Sequence, residues 1–322
     1  MKDLLLLINP KAGRRVVRNK LMDIADLFIK EGYAVAIYIT QGSGDATRYV
    51  AKHGDGYDLV VCCGGDGTLS ETVNGLAQLK RPPAVGYISG GTTNDVGFSL
   101  HLPFEMNRAA ETAVRGQPMP WDIGLFNGDR YFCYVAAFGL FTEVTYATDQ
   151  QAKNALGRTA YLLQGARSLS SVKSTHITLD CDGQTIEDDY ILFMMSNTVS
   201  VGGFRTVFSE LPRLDDGLFE VLLVKRPRTL EDLNHVTNIL LQLESVDEID
   251  SEFITVLRGK KVRIRTDHPV AWTIDGEYGG ETTDVAIEVC PQMLTIMTGD
   301  PEKVGDRRSL LSRIFRPQRK TE

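Results

Sequence analysis

Short apolar runs alternate with helix-like segments over the first third of the chain. Apolar runs of strand length cover residues 4–8 and 59–63, and further strands are predicted over residues 34–40 and 84–88. Such runs are typical of strands covered on both faces, as in parallel sheets. Between them, Val17, Leu21, Ile24 and Phe28 recur at helical spacing, and a second helix is predicted over residues 46–53. The resulting βαβαβαβ pattern predicts an α/β domain with a parallel sheet and right-handed crossovers.

A different pattern begins after about Trp121. Predicted strands follow one another without regular helices between them, at residues 131–137, 176–182, 188–196, 218–224, 262–265, 270–274, 285–289 and 293–297. Two helical stretches, near residues 155–169 and 230–243, interrupt this series. The pattern predicts a β-rich second domain with antiparallel sheets. We therefore expect domains at residues 1–122 and 123–298.

A glycine-rich pentapeptide, Gly64-Gly65-Asp66-Gly67-Thr68, lies between a predicted strand and a predicted helix. Glycines free backbone N–H groups, and a helix N-terminus adds a positive dipole end, which together suit a phosphate. Asp66 alone would repel a phosphate by about 4 kcal/mol at ~4 Å and a dielectric of about 20. A divalent cation that binds both groups removes this conflict. We interpret the segment as a nucleotide–metal loop, with a tight turn exposing an Asp as the alternative.

Other polar segments follow neighbouring strands of the same predicted sheet. They are residues 9–13, Thr40 and the Gly-rich segment 89–95. Ligands of parallel sheets bind at the carboxyl ends of the strands, so these features are expected on one edge. Individually, Asn9-Pro10 also suits a simple loop turn and Thr40 an ordinary strand end.

Two Asp-Gly dipeptides precede or follow strands in the second domain. They occur in Asp215-Asp216-Gly217 and in Asp275-Gly276-Glu277. Asp-Gly favours a type I′ hairpin turn, and that is one interpretation of both. The additional acids, Asp215 and Glu277, leave open a second one, since paired carboxylates can hold a metal or accept a proton.

Composition limits the function classes. With 322 residues, 43% hydrophobic and 24% charged, the chain has the composition of an ordinary globular protein with room for two domains. Its net charge of −7 argues against general nucleic-acid binding. No apolar run approaches the ~18 residues of a membrane span. The N-terminal residues lead directly into a strand without a signal-peptide pattern, and the five cysteines are scattered, so we expect a cytoplasmic protein with reduced thiols.

The chain resembles the diacylglycerol kinase catalytic-domain family, which includes soluble bacterial lipid kinases related to sphingosine kinases. The resemblance covers nearly the whole chain and rests on Asn9-Pro10-Lys11-Ala12-Gly13, Gly64 to Leu69 with Glu71 and Asn74, Gly91-Thr92-Thr93-Asn94-Asp95, Asp215-Asp216-Gly217 and Asp275-Gly276-Glu277. It implies an N-terminal α/β/α nucleotide domain, a C-terminal β-sandwich-like domain and an active site in the cleft between them. It also implies that the tail, residues 299–322, packs back on the first domain.

The same resemblance implies roles for individual residues. The implied ATP contacts are Asn9, Pro10, Lys11, Ala12, Gly13, Thr40, Gly65, Asp66, Gly67, Thr68, Leu69, Ser70, Glu71 and Thr92. Asp66, Asp95 and Asp275 would organise a catalytic Mg²⁺. Glu277 would accept the proton of the lipid hydroxyl, although Asp275 stays open as the base. Asp216, with the backbone carbonyls of Arg213 and Leu218, would hold a separate structural Mg²⁺. One departure from the family is the absence of a proline at Ser89 or Gly90.

The predicted activity is transfer of the γ-phosphate of ATP to a lipid hydroxyl, on diacylglycerol or a lipid such as phosphatidylglycerol. The alternatives are an NAD kinase-like enzyme and a catalytically silent lipid-binding regulatory protein; the segment 9–14 lacks the glycine fingerprint of a dehydrogenase. The tail is basic, and Leu310, Leu311, Ile314 and Phe315 form a helical apolar stripe. It predicts either docking on the first domain or transient contact with the inner face of the membrane. A homodimer stays open.

Overall fold

The first part of the chain forms alternating strands and helices. The structure, a computed structural model, describes residues 1–12, 16–140, 173–201, 204–205, 213–229, 231–232, 235–236 and 252–299. The elements are β1 (Lys2–Ile8), α1 (Val16–Lys30), β2 (Tyr33–Ile39), α2 (Asp45–His53), β3 (Leu59–Gly64), α3 (Asp66–Leu76), β4 (Ala84–Ser89), α4 (Asp95–Ser99) and α5 (Met106–Arg115). The four strands pair in parallel in the order β4-β3-β1-β2, which confirms the predicted α/β arrangement.

Side chains that alternate along β1 divide the core of this domain between two faces. Leu5 packs in the cluster that contains Val73 of α3, whereas Leu4 and Leu6 pack in the cluster that contains Phe28 of α1. All three leucines are at most 1% exposed. Because helices cover both faces of the sheet, its strands are apolar at successive positions rather than at alternate ones.

Antiparallel strands form the second domain, a β-sandwich. They are β5 (Gln117–Phe126), β6 (Arg130–Phe132), β7 (Val135–Gly139), β8 (Thr175–Cys181), β9 (Gln184–Ser196), β10 (Ser200–Val201), β11 (Phe204–Arg205), β12 (Phe219–Lys225), β13 (Ile254–Gly259), β14 (Lys261–Ile274) and β15 (Glu277–Thr298). At the centre of the core, the buried ring of Trp272 makes edge contacts with Phe126, Phe138 and Phe193, with centroids 5.2, 5.1 and 5.6 Å away. Aromatic edge contacts of this kind stabilise a core beyond the area they bury.

The long strand β15 belongs to both sheets. It pairs antiparallel with β14 and β5, and near its end Ile296 pairs in parallel with Val85 of β4. One continuous sheet therefore runs from the sandwich into the α/β domain. The hairpin between β14 and β15 is consequently tied to the strands that carry the glycine-rich loops.

In the structure, four of the predicted strands are joined into two longer strands. The predicted pairs 262–265 with 270–274, and 285–289 with 293–297, are the single strands β14 and β15. The breaks in the apolar pattern at Pro269 and Pro291 are irregularities of register within a strand, and Gln292 has a φ of 50° at the second of them. A bulge accommodates these residues without ending the strand, so the prediction of separate strands was wrong there.

Some elements were not predicted. They include α4, α5, β13 and β5, and the predicted strand 131–137 is divided into β6 and β7. In β5, Pro118 and Pro120 argue against a strand, but both are exposed, and among the described residues β15 alone pairs with this part of β5. A proline is tolerated where its missing N–H faces no partner strand. The predicted helix 155–169, most of 230–243 and the tail from residue 300 lie outside the described residues.

Candidate active site

The carboxyl ends of β1 and β2 carry the first polar residues of the predicted edge. The side-chain amide of Asn9 donates to Thr68 Oγ1 over 2.9 Å, and Asn9 Oδ1 accepts the N–H of Lys11 at 2.9 Å. Thr40 is nearly buried, and its N–H donates to the carbonyl of Ile8. The prediction that segments distant in sequence meet at this edge is confirmed for Asn9 and the loop containing Thr68.

The two glycine-rich loops pack directly on each other. A Cβ on Gly91 would lie 2.8 Å from Gly65 Cα, closer than any side chain allows. The N–H of Gly90 donates to the carbonyl of Gly64 over 2.7 Å, and a Cβ on Gly90 would lie 3.7 Å from Ala12 Cβ. The loops after β1, β3 and β4 therefore form one backbone surface, and at Gly91 only glycine permits so close an approach.

Asp66 and Asp95 begin helices α3 and α4 and lie side by side. Asp66 Oδ2 accepts the N–H of Asp95 and the hydroxyl of Thr93, each at 3.2 Å, and Oδ1 accepts the hydroxyl of Tyr87 at 3.4 Å. Asp66 is 8% exposed and Asp95 is 1% exposed. Burial, and then the charge of Asp95, raise the pKa of Asp66 to about 6. Two buried carboxylates so close to each other favour binding of a cation or a proton.

The third acid, Asp275, occupies a two-residue turn between β14 and β15. Ile274 pairs with Glu277, and the φ angles of Asp275 and Gly276 are 49° and 79°, which confirms the type I′ interpretation. The Asp275 carboxylate accepts the N–H groups of Cys133, Tyr134 and Val135 at 2.8, 3.0 and 3.1 Å. Burial raises the pKa of Asp275, and these donors offset part of that effect. Asp275-Gly276 therefore forms a hairpin turn and also places a buried acid.

Glu277 lies next to the first glycine-rich loop. A Cβ on Gly67 would be 3.5 Å from Glu277 Oε1, and Glu277 is exposed, unlike the three aspartates. The carboxylate therefore reaches across from the sandwich to the start of α3 while staying accessible. The structure brings all four predicted acids to the region where the two domains meet.

Tyr134 is a site residue that the sequence did not indicate. Burial raises the pKa of its phenol, followed by the charges of Asp66, Asp275 and Asp95, so one hydroxyl lies within electrostatic range of all three acids. A Cβ on Gly276 would be 3.2 Å from this hydroxyl oxygen. A tyrosine in an apolar segment has no sequence signal that separates it from an ordinary core residue.

The other predicted nucleotide contacts occupy varied positions. Pro10, Lys11 and Thr92 are exposed on the rim, whereas Leu69 is fully buried in the core and Gly13 lies outside the described residues. A side-chain hydrogen bond links Ser70 to Asp275.

The carboxylate of Glu71, also a predicted nucleotide contact, forms hydrogen bonds within the protein. Its two carboxylate oxygens accept the N–H groups of Gly44 at 2.7 Å and Ala46 at 3.1 Å. These are backbone donors at the start of α2, so Glu71 anchors that helix to α3.

The predicted structural Mg²⁺ site contains a protein cation. Asp216 Oδ1 accepts the N–H of Leu218 at 3.0 Å, and Asp216 Oδ2 lies 2.6 Å from a guanidinium nitrogen of Arg258. Arg258 also lies 3.2 Å from the buried carboxylate of Glu220, and Arg213 lies 3.4 Å from Asp215. Asp216-Gly217 is not a hairpin turn, because the strand that follows, β12, pairs with β9 and β13.

No cluster of three or more His, Cys, Asp or Glu side chains with metal-binding geometry occurs among the described residues. Within the same residues, no helix is both long and apolar enough to span a membrane. The five cysteines are free thiols, and all of them except Cys290 are buried.

Known proteins resemble both parts of the chain. Residues 3–126 match the family model "Diacylglycerol kinase catalytic domain", and residues 135–298 match "YegS C-terminal NAD kinase beta sandwich-like domain". The diacylglycerol kinase of Bacillus subtilis (strain 168) is 34% identical over 283 residues, which is 87% of this chain and 91% of that protein.

Solved structures share the fold. A candidate diacylglycerol kinase from Bacillus anthracis str. Sterne has a TM-score of 0.79 at 27% identity and covers 92% of this chain and 97% of its own. An NAD kinase from Archaeoglobus fulgidus in complex with ATP has a TM-score of 0.53 at 13% identity, with 97% and 98% covered. The second comparison concerns the fold alone.

Proposed function

The chain belongs to the diacylglycerol kinase catalytic-domain family and is a kinase with an alcohol acceptor, and on that premise we propose that it transfers the γ-phosphate of ATP to the hydroxyl of diacylglycerol or a similar lipid. The observation that carries this proposal is the meeting of Asp66, Asp95, Asp275 and Glu277 beside two glycine-rich loops. Phosphoryl transfer needs positioning and charge neutralisation more than covalent chemistry, and this arrangement suits both.

In the proposed mechanism the backbone N–H groups of the loops around Gly65 and Gly91 bind the phosphates of ATP. The helix α3, which begins at Asp66, adds its positive dipole end. Glu277 accepts the proton of the lipid hydroxyl, since it is the exposed acid of the four and lies against Gly67. Asp275 is held by three backbone N–H groups and acts as a fixed negative charge behind Glu277.

The residues fit a Mg²⁺ ion. Asp66 and Asp95 are hard oxygen donors in a buried place where their negative charges oppose each other. Mg²⁺ is commonly bound by one or two carboxylates together with phosphates and water, so a preformed cluster of three protein ligands is not needed. When bound, Mg²⁺ would neutralise charge that develops on the transferred phosphate.

Two further parts of the proposal concern the substrate and its location. Because an NAD kinase shares the fold, NAD is the acceptor that an assay should compare with lipids. We propose that the protein works in the cytoplasm and meets its lipid at the inner face of the membrane. The basic tail on which this contact was predicted, with Arg316, Arg319 and Lys320, lies outside the described residues, and a homodimer stays a prediction.

The direct test supplies ATP labelled in the γ-phosphate with Mg²⁺ and a panel of acceptors in mixed micelles. The panel contains diacylglycerol, phosphatidylglycerol, a sphingoid base and an undecaprenyl-type alcohol, with NAD in solution, and products are identified by mass. We expect a phosphorylated lipid and no phosphorylated NAD. Phosphorylation of NAD alone, or of no acceptor, would overturn the proposal.

The role of Glu277 is tested on the same substrate. Glu277→Gln keeps the side-chain shape but removes the base, so we expect kcat to fall by about 100-fold or more, with ATP affinity little changed. Glu281→Gln is the matched control, because Glu281 is also an exposed acid of β15. Equal kcat values for the two variants would show that Glu277 is not the base.

A further inference from the structure

A serine of the sandwich domain contacts an acid of the α/β domain. The hydroxyl of Ser200 donates to Asp95 Oδ1 over 2.6 Å. Ser200 is 4% exposed and Asp95 is 1% exposed, so water does not compete at this contact. A distance of this length is at the short end of the range for hydrogen bonds between a hydroxyl and a carboxyl oxygen.

A ladder of buried hydroxyl groups fixes Ser200 in place. Thr198 Oγ1 donates to the carbonyl of Ser200 over 2.7 Å, and the N–H of Thr198 donates to Ser196 Oγ over 3.2 Å. Ser196 pairs with Val135 and Glu220 inside the sheet, so the ladder starts from a rigid strand. The hydroxyl of Ser200 is therefore aimed at Asp95 by the sandwich, not by the loop that carries Asp95.

The same short segment also touches the other acid of the site indirectly. The N–H of Asn197 donates to the carbonyl of Tyr134, whose own N–H donates to Asp275. Residues 196–200 thus connect to Asp95 at one end and to the support of Asp275 in the middle. One short segment therefore helps to position two acids that belong to different domains.

We propose that Ser200 is a positioning residue of the kinase site, which holds the Asp95 carboxylate in a single orientation from the opposite domain. The inference rests on the proposed function, because it assigns Asp95 to the same reaction. Asp95 Oδ1 is occupied by Ser200, so the carboxylate cannot rotate freely toward Asp66. The hydroxyl of Ser200 acts on the reaction through Asp95.

The test compares Ser200→Ala with Ser99→Ala. Ser99 is an equally buried serine whose hydroxyl donates to the backbone carbonyl of Asp95 at 2.9 Å, so its removal deletes the same atom without touching the carboxylate. Ser200→Thr keeps the hydroxyl and serves as the conservative rescue. The measurements are kcat and KM for ATP with diacylglycerol in mixed micelles, together with Tm for each variant.

We expect Ser200→Ala to lower kcat by about tenfold or more with KM for ATP changed less than about twofold, since a group that only orients an acid affects the transition state more than binding. Ser99→Ala should keep wild-type kcat, and Ser200→Thr should recover most of it. If Ser200→Ala unfolds, Ser200→Cys, which keeps the volume but is a weak donor, replaces it in the same comparison.

The outcomes separate this inference from the proposed function. A wild-type protein without lipid kinase activity refutes the proposed function itself. An active wild type with equal kcat for the Ser200 and Ser99 variants overturns the role of Ser200. A rise in KM for ATP with unchanged kcat overturns it as well, because Ser200 would then support binding.

Discussion

Asp66 is expected to destabilise the metal-free protein at neutral pH. Burial and the neighbouring Asp95 raise its pKa from an ordinary value of 3.8 to about 6. A tenfold change in proton affinity corresponds to about 1.4 kcal/mol, so holding Asp66 ionised in the fold costs about 3 kcal/mol at pH 7. Asp66→Asn removes this cost while its amide oxygen can still accept from the N–H of Asp95 and from Thr93.

The sign of the effect with pH follows from the direction of the shift. The folded state binds the proton of Asp66 more tightly than the unfolded state, so wild-type stability falls as pH rises from about 4 to about 6 and is level above that. Asp66→Asn carries no such charge. Its stability advantage should therefore be near zero at pH 4 and reach at most about 3 kcal/mol above pH 6, or about 4 °C in Tm for a chain of this size.

The assay is urea unfolding between pH 4 and 8 in the presence of a metal chelator. Asp45→Asn is the control, because the N–H of Gln41 and the hydroxyl of Tyr38 lower the pKa of Asp45. Asp45 stabilises the fold above its unfolded pKa, so its amide variant should be less stable at neutral pH. The two variants remove the same charge and should shift stability in opposite directions.

Equal stability of wild type and Asp66→Asn would contradict this prediction. If Asp66→Asn is no more stable than wild type at pH 7.5 without metal, burial does not penalise this charge. In that case Asp66 needs no cation to offset a cost of burial. Addition of Mg²⁺ and ATP gives a second check, because a ligand that binds the folded state through Asp66 should stabilise wild type more than the variant.

Two other contacts give testable predictions. Asn74→Ala removes the amide that donates to the Tyr131 carbonyl at 2.7 Å and accepts the Tyr131 N–H at 3.0 Å. Urea unfolding should show that the free energy of unfolding falls by about 2 kcal/mol, whereas Gln78→Ala should change it little. Arg258→Gln removes the guanidinium that lies 2.6 Å from Asp216. In the presence of a chelator the Tm of this variant should be below that of wild type, and added Mg²⁺ should raise its Tm more than it raises the wild-type Tm. An equal Mg²⁺ response of the two proteins would exclude competition between Arg258 and Mg²⁺ at Asp216.

Local chemistry explains what the sequence predicted well. The segment around Asp66 is recognisable because its glycines, preceding strand and following helix are contiguous, and each acts on the same few atoms. The Asp275-Gly276 turn is predictable for the same reason, since positive φ angles are a local requirement. The parallel order of β1 to β4 follows from apolar runs that must be buried on both faces.

Contacts between distant segments explain what the sequence missed. Asp275 is anchored by N–H groups of Cys133, Tyr134 and Val135, which any residue type could donate. Ser200 is equally inconspicuous, because a buried serine gains its role only when the fold places it against Asp95. Backbone donors and isolated hydroxyls leave no pattern in a single sequence, so topology alone makes them part of the site.

The position of the acids relative to the glycine loops is set by α3. Asp66 starts this helix, and two turns later the side chain of Asn74 pairs with both backbone groups of Tyr131 as a strand would. Tyr131 is two residues before Cys133, whose N–H binds Asp275. Since Glu277 is two residues after Asp275, one helix determines where the nucleotide loop and the proposed base lie. A connection this short, through hydrogen bonds to backbone groups, explains how a site assembled from two domains can keep Glu277 against Gly67.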